Sequence, residues 1–551
     1  MPQLTRRGVI AAAGAAAASG LGSFSGIRPA AGQIPCPTKS VKDFLADAKA
    51  QALSLQDRIE IVDQAVALFN DFYVHLPLKR VTYAVDPLER LRLLRQRLPQ
   101  LPGDLAFHAE MTDIFASLRD LHTLYFLPEP YASAHAWLPF KVEACVEAGQ
   151  RKYIVSRIVD GFLHPSFRVG VEVLSFDGLP VARAAELAGR QGSNSAAQHA
   201  LGLARLTYRA LIWAPPPQED SVLIHYRVGA RELKISIPWN VSTLSSNCDD
   251  KGDSCNEVEQ IQRFRRFLFA PSDPCHPFGI PERITTSDGV FGYIRIFSFD
   301  KNLLSGGDEE FVQRFKKLVA GFVGNTKGLI VDVRDNGGGS TRAAERVVQY
   351  VRPATTKIDP TRLYFVATPV TLQFCQLSST SDLGPTGLAP WIPSIQQALQ
   401  NHGAFSDAFQ YTSDDACNDQ PRRVYPGPVI VVTNALSYSS AEFFIAGFQD
   451  HGGTILGVDE TTGGAGAGVR THQQLHQYFV DAGQPSPFKP LPNAGLSTAF
   501  RRTVRVGIGV GREIEDSGVS RNRPYVMTRD DLLNHNVDLK REAARLLAQM
   551  T

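Results

Sequence analysis

"VVTNALSYSSAEFFIAGFQDHGGTILGVDETTGG", running from Val431 to Gly464, decides how the rest of the chain is read. It completes the apolar run "PVIVVTN", which suits a strand buried on both faces. At Ser437-Tyr438-Ser439-Ser440 it turns into a helical pattern with Ala441, Phe444, Ile445 and Phe448 on one face. A serine at that junction sits beside the free N–H groups of the helix, which stabilise developing negative charge. That is the physics of a nucleophile elbow, although the G-x-S-x-G pattern is absent. Serines are also ordinary helix N-caps, so the stretch alone leaves both roles open.

A second stretch of the same architecture lies upstream. In "LIVDVRDNGGGS", Leu329–Ser340, a buried strand ends in Asn336 and successive glycines before the helix "TRAAERVVQYV". Glycines there let backbone N–H groups face a ligand without a Cβ in the way, as an oxyanion hole or a phosphate cradle requires. No lysine follows them in "GGGST", so this is not a P-loop. Strands "VFGYIRIFSF" and "RLYFVATPV" and helix "DEEFVQRFKKLVAGF" complete an alternating pattern that predicts an α/β core over 284–551. The segment 371–427, carrying Cys375 and Cys417, is too long for a connector and reads as an irregular insertion or lid.

Outward from this core the chain changes character. At 551 residues it exceeds what one core supports, and two to four domains are expected. Residues 33–138 read as helical: "SLQDRIEIVDQAVALFNDFYVHL" opens with a Ser-x-x-Asp cap and spaces Ile59, Val62, Val66 and Phe69 by threes and fours. A later helix there, "GDLAFHAEMTDIFASLRDLHTLYF", gives way to extended chain at His122. Over 139–240 the period falls to two, with strands such as "KYIVSRIV" and "SVLIHYRV" around one helix, "NSAAQHALGLARLTYRAL". "RVGVEVLSFDGLPV" within it resembles the strand-turn-strand of a PDZ domain, with Val171 where an aspartate is usual. Residues 241–283 read as a polar connector in which Cys248 and Cys255 bracket "CDDKGDSC" as the best local disulfide pair.

The formal charge of +2 gives no electrostatic reason to expect nucleic acid or an anionic membrane as partner. Residues 1–32, with Arg6-Arg7 before a weakly apolar Ala/Gly run, have the pattern of a twin-arginine signal peptide, so export to the periplasm or beyond is expected, with no stable membrane anchor. "GQIPC" around Cys36 is a poor lipidation site. His472 and His476 share an i, i+4 spacing without an H-E-x-x-H pattern or third ligand, so neither metal nor cofactor is expected.

Together the two glycine- and serine-bearing stretches resemble the carboxyl-terminal-processing, or tail-specific, serine peptidases, a family that includes the tricorn protease core. "LIVDVRDNGGG" is similar to that family's "lilDlRgNgGG" strand, and the opening stretch to its "saSasEi.agalqd" elbow, with Glu442, Gln449-Asp450 and Gly452 in register. The resemblance implies a helical region, a PDZ-like domain and a crotonase-like α/β core acting on a polypeptide substrate. It places the nucleophile at Ser439 and implies an oxyanion hole of backbone N–H groups from Gly337 or Gly338 and Ser440. Many members take their base from a lysine in a "T.GKG" segment, but here "TTGGAGAG" puts Gly464 near that position. The tricorn-like branch uses a histidine and a distant glutamate instead. "DLHT" resembles its "D.Ht", which implies His122 as base, and "GREIEDSGV" its "g..iE..Gv", which implies Glu515 in support, with Glu513 and Asp516 as competitors. The serine that sometimes precedes the histidine is Leu121 here. A peptide-binding protein without catalysis, or an acyl hydrolase of esters or thioesters, would use the same fold.

Overall fold

The computed structural model describes residues 38–48, 51–159, 161–243, 277–353, 359–378, 387–412 and 423–550. The twin-arginine segment and the Cys248–Cys255 pair lie outside these residues. At the centre is a six-stranded sheet in the order Glu282–Thr286, Gly289–Arg295, Leu329–Asp332, Val429–Thr433, Thr454–Gly457, Arg523–Pro524. Its first pair is antiparallel and the remaining pairs are parallel. In register across it, Ile294, Val331, Val431 and Ile455 pack under the helices Gly307–Ala320, Thr341–Val351 and Ser440–Asp450. The alternate residues Tyr293, Ile330 and Ile430 face the C-terminal helix Val537–Ala548 through Leu539, Ala543 and Leu547. Both faces are covered, which explains why these strands read as unbroken apolar runs.

The two stretches singled out in the sequence are therefore neighbours. Leu329–Asp332 and Val429–Thr433 pair in parallel, so the glycine loop and the serine corner emerge side by side at the carboxyl ends of the strands, where open α/β sheets place ligands. Asp332 anchors this edge. It is buried and ion-paired to Arg295 at 2.5 Å and Arg334 at 2.8 Å. Burial pushes its carboxyl up, but the two guanidiniums outweigh that and hold it well below the usual carboxylate range.

Before the core, a second sheet orders Arg231–Pro238, Ser221–Val228, Glu172–Phe176, Gln150–Ile158 and Phe140–Glu147, with the helices Val181–Ala188 and Ser195–Thr207 beside it. Asn194 caps the second helix by accepting from Ala197 N–H. The N-terminal region is mainly helical. Ser54 and Asp57 form the expected capping box, Val62 and Phe69 are buried, and Ile59 and Val66 pack at the edge of the core.

Three expectations need correction. The region up to 138 is not wholly helical: Thr38–Ser40 and Ala134–Trp137 are strands, joined with Asn240–Thr243 and Tyr208–Ala210 in a four-stranded sheet. The connector expected over 241–283 is correspondingly narrower, since Asn240–Thr243 is part of that sheet and Glu282–Thr286 is the edge of the core sheet. Strands of three to five residues are too short for alternation to reveal them. The segment 371–427 is not irregular where described: Pro369–Leu377 and Trp391–Gln400 are helices that bury Phe374, Cys375, Trp391 and Ile395 in the main apolar cluster. Thr368 caps the first by accepting from Thr371 N–H, and proline occupies the first helical position.

Candidate active site

Ser439 stands at the head of helix Ser440–Asp450 with φ 56° and ψ −127°, a conformation a non-glycine residue adopts only under constraint. The constraint is local. Tyr438 N–H donates to Asn336 O at 2.8 Å, and Ser437 Oγ donates to Val333 O at 2.8 Å, which pins the corner to the glycine-bearing loop. The serines therefore divide. Ser437 is a structural pin, Ser440 supplies the first turn of the helix, and Ser439 is the one on the strained turn.

The glycine loop closes on this corner. Gly338 has φ +99°, and a Cβ there would fall 2.5 Å from Ser439 Cβ and 2.9 Å from Ser440 N. Only glycine fits at 338, and Gly339, at φ +139°, would likewise set a Cβ 2.2 Å from the Phe299 backbone. Asn336, fully buried, holds the loop by donating Nδ2–H to Ile296 O at 3.0 Å and accepting Gly338 N–H at 2.9 Å. That second bond occupies Gly338 N–H, so of the two glycine donors expected for an oxyanion hole, Gly338 is already engaged. Among the described residues Gly337 N–H and Ser440 N–H have no protein acceptor.

Below the corner, Glu442 is fully buried in the first turn of the helix. It accepts from Thr462 Oγ1 at 2.5 Å, Gly464 N–H at 2.9 Å and Ala465 N–H at 2.8 Å, clamping the "TTGGAG" loop. Burial raises its carboxyl to about 7. Gly464, which stands near the family's lysine position, has no room for a side chain. A Cβ would meet Asn194 Nδ2 and Ser193 Oγ at 2.9 Å and the Asp516 backbone at 3.1 Å. Ser193 also donates to Gly463 O, and Asn194 Nδ2–H to Thr462 O at 3.0 Å.

His122 arrives from the other end of the chain. Its helix ends at Ala116, and His122 lies in a turn beyond Arg119, a residue at φ 51°. The following segment adds to the edge of the long core strand Gly495–Val504, with Tyr125 opposite Leu496 and Ala499 N–H donating to Thr123 Oγ1 at 3.0 Å. Ser497 Oγ donates to His122 O at 2.9 Å. These bonds set the imidazole against the Tyr438 ring, with centroids 5.4 Å apart, one residue from Ser439. Burial pushes the His122 pKa below its ordinary value.

Glu515 sits in a buried cluster behind this pair. Its ion-pair partner is Lys79, with Nζ at 2.8 Å, while His75 Nε2, on a ring whose pKa burial pushes well below its ordinary value, lies 3.4 Å away. Asp120 belongs to the same cluster, its carboxylate oxygen within 4.8 Å of the His75 and Glu515 ligand atoms. Burial, reinforced by Asp120 and Asp516, drives the Glu515 carboxyl well above the ordinary range, against the opposing pull of Lys79. Of the competitors expected for its role, Glu513 pairs with Arg502 and Tyr364, and Asp516 shares Lys79 with Glu515 and accepts the Tyr83 hydroxyl at 2.9 Å. His75, Lys79 and Asp120 are the site residues that sequence reasoning missed. "HLPLK" offers only an i, i+4 spacing, and Asp120 was visible in "DLHT" without an assigned role.

Lys79 is not a concealed general base. Its ammonium donates to Asp516 and, at 3.3 Å, to Arg119 O, and it is ion-paired with Glu515; these carboxylates raise its pKa although burial alone would lower it. Nor does a cation site follow from His75, Asp120 and Glu515, since the Lys79 ammonium already supplies their positive charge. His472 and His476 bond Gln64 Oε1 at 2.9 Å and Phe488 O at 2.6 Å, a packing role.

Residues 290–482 match peptidase family S41, and residues 134–244 match the PDZ domain. Mature CPAF complexed with lactacystin superposes with a TM-score of 0.65 at 18% identity, covering 90% of this chain and 99% of that one. Mature CPAF alone gives 0.63 at 17% identity, covering 90% and 97%. At such identity these likenesses establish the fold. The photosystem II D1 C-terminal processing protease aligns over 86% of this chain and 94% of its own at 13% identity, with a TM-score of 0.37. A search of curated protein sequences finds no match. No helix among the described residues is long and apolar enough to cross a membrane.

Proposed function

Since the chain carries a peptidase family S41 domain behind a PDZ domain and is a serine-type peptidase, we propose that it cleaves polypeptides through Ser439, with His122 as its base. The observation that carries this reading is the packing of the His122 ring on Tyr438, beside the strained Ser439. Ser439 Oγ attacks the scissile carbonyl carbon and passes its proton to His122. The C–O bond forms as the carbonyl π pair moves onto oxygen, where Gly337 N–H and Ser440 N–H receive it. Collapse expels the amine, which takes the proton back from His122. Water then hydrolyses the acyl-enzyme by the same route. Glu515, ion-paired with Lys79 and 3.4 Å from His75, belongs to the buried cluster behind this pair.

Tail-specific cleavage and export remain part of the proposal, supported by the PDZ domain next to the site and by "TRRGVIAAAG". The test is steady-state hydrolysis of a fluorogenic peptide whose free C-terminus is present or amidated. Ser439→Ala and His122→Ala should each lower kcat by about 10⁴-fold, and the double variant should be no worse than either single one, because members of one catalytic unit fail together. Full activity of His122→Ala would refute the base assignment, and indifference to the chain end would refute tail specificity.

A further inference from the structure

We propose that Asp120, and not Glu515, is the positioning residue that orients His122 for proton transfer. This rests on the reading of Ser439 and His122 given above. A histidine base needs a hydrogen-bond acceptor on the ring nitrogen facing away from the nucleophile, to fix its tautomer and stabilise the imidazolium. His122 Nδ1 is buried and has no hydrogen-bond partner among the described residues. Within 4.0 Å of its ring nitrogens those residues offer one carboxylate, Asp120, whose Oδ1 lies 4.0 Å from Nδ1. Glu515 is not within that distance of the His122 ring nitrogens; the cation it pairs with is Lys79, at 2.8 Å. Leu121, between Asp120 and His122, has no polar side chain that could relay a bond from Glu515.

Asp120 is built into place. It is fully buried, its Oδ1 accepts the backbone N–H of His122 at 2.8 Å, and its Oδ2 accepts the Thr123 hydroxyl at 2.7 Å. The same carboxylate thus fixes the backbone of the histidine and stands 4.0 Å from its ring nitrogen Nδ1. Catalytic hydrogen bonds are often long in the free enzyme and shorten in the complex, and the 4.0 Å between Nδ1 and Oδ1 is the separation that would close in this way. Nε2 is then left to exchange the Ser439 proton. The charged and titratable groups facing this pair are Lys79 and His75 from the N-terminal helical region, Tyr73 beside Asp120, Tyr438 from the elbow, and Glu515. Asp120 is the group in this set that favours the imidazolium of His122, whereas Lys79 opposes it.

The experiment compares Asp120→Asn, Glu515→Gln and Thr123→Val in the full-length enzyme by kcat, KM and the pH dependence of kcat/KM, with Ser439→Ala and His122→Ala alongside. Asp120→Asn should lower kcat on the order of 10²–10⁴-fold with KM within about two-fold, and shift the acid limb to lower pH. Asp120→Glu should recover part of the loss. Thr123→Val removes the other anchor of the carboxylate, so it reports the structural contribution. It should lose thermal stability and leave the acid limb in place. Wild-type kcat and limb position in Asp120→Asn would overturn the proposal, as would a limb moved by Glu515→Gln alone. Activity surviving Ser439→Ala or His122→Ala would instead bring down the parent reading.

Discussion

Replacing Glu442 removes the clamp between the elbow helix and the glycine-rich loop, and the cost can be worked out from its partners. In Glu442→Ala the Thr462 hydroxyl and the N–H groups of Gly464 and Ala465 lose their acceptor in a fully buried site. At about 1–3 kcal/mol for each stranded donor, with water entering the vacated space, the loss should fall near 3–5 kcal/mol. Glu442→Gln keeps one oxygen and turns an amide N–H towards Ala465 N–H or its neighbours, so it should cost about one such bond, 1–3 kcal/mol. The two variants also differ with pH. Burial raises the folded-state pKa from 4.5 to about 7, so the native protein holds the proton more tightly than the unfolded chain. That contribution is complete below the unfolded value and is lost as pH rises through about 7, a span worth about 3 kcal/mol. Glutamine cannot ionise, so the deficit of Glu442→Gln should be largest near pH 5 and shrink by pH 8. Urea unfolding followed at both pH values measures this. Equal costs for Ala and Gln, or a Gln deficit that does not change with pH, would refute the clamp as described.

The His122 pKa is lowered by burial, so the acid limb of kcat/KM should lie below pH 6.5, with activity rising as the imidazole loses its proton; a limb in the lysine range would contradict the base assignment. Gly338→Ala sets a Cβ 2.5 Å from Ser439 Cβ at a positive φ, and should lower kcat by more than about 10²-fold while the fold, read by circular dichroism, persists. Lys79→Met leaves the buried Glu515 and the half-buried Asp516 without their cation, and should cost about 3–5 kcal/mol in denaturant unfolding; a neutral result would mean that the cluster is not held together by charge.

The central architecture was legible because its signals are local. A buried strand running into a serine corner, and another running into glycines, are written in contiguous residues, and the sheet brings them together by a parallel pairing that α/β folds favour. His122 was legible only through resemblance, since what places it is the pairing of Tyr125–Phe126 with Gly495–Val504, a contact with no local signature. Lys79 and His75 were hidden for the same reason: buried charges are recognised by their partners, and Glu515 lies far along the chain. Asp120 was in view but carried no weight until the buried, unpartnered Nδ1 of His122 showed what it faces. The helices Pro369–Leu377 and Trp391–Gln400 were missed because one starts inside a strand-like run, "FVATPV", although the strand Arg362–Tyr364 has already ended there and Thr368 and Pro369 open the helix.

The most direct test of the mechanism is covalent labelling of the intact enzyme with a fluorophosphonate, followed by peptide mapping. The account predicts one adduct, on Ser439, formed rapidly at pH 7, slowed by orders of magnitude in His122→Ala and absent in Ser439→Ala. An adduct on Ser437 or Ser440, or labelling of Ser439 at an undiminished rate without His122, would contradict it.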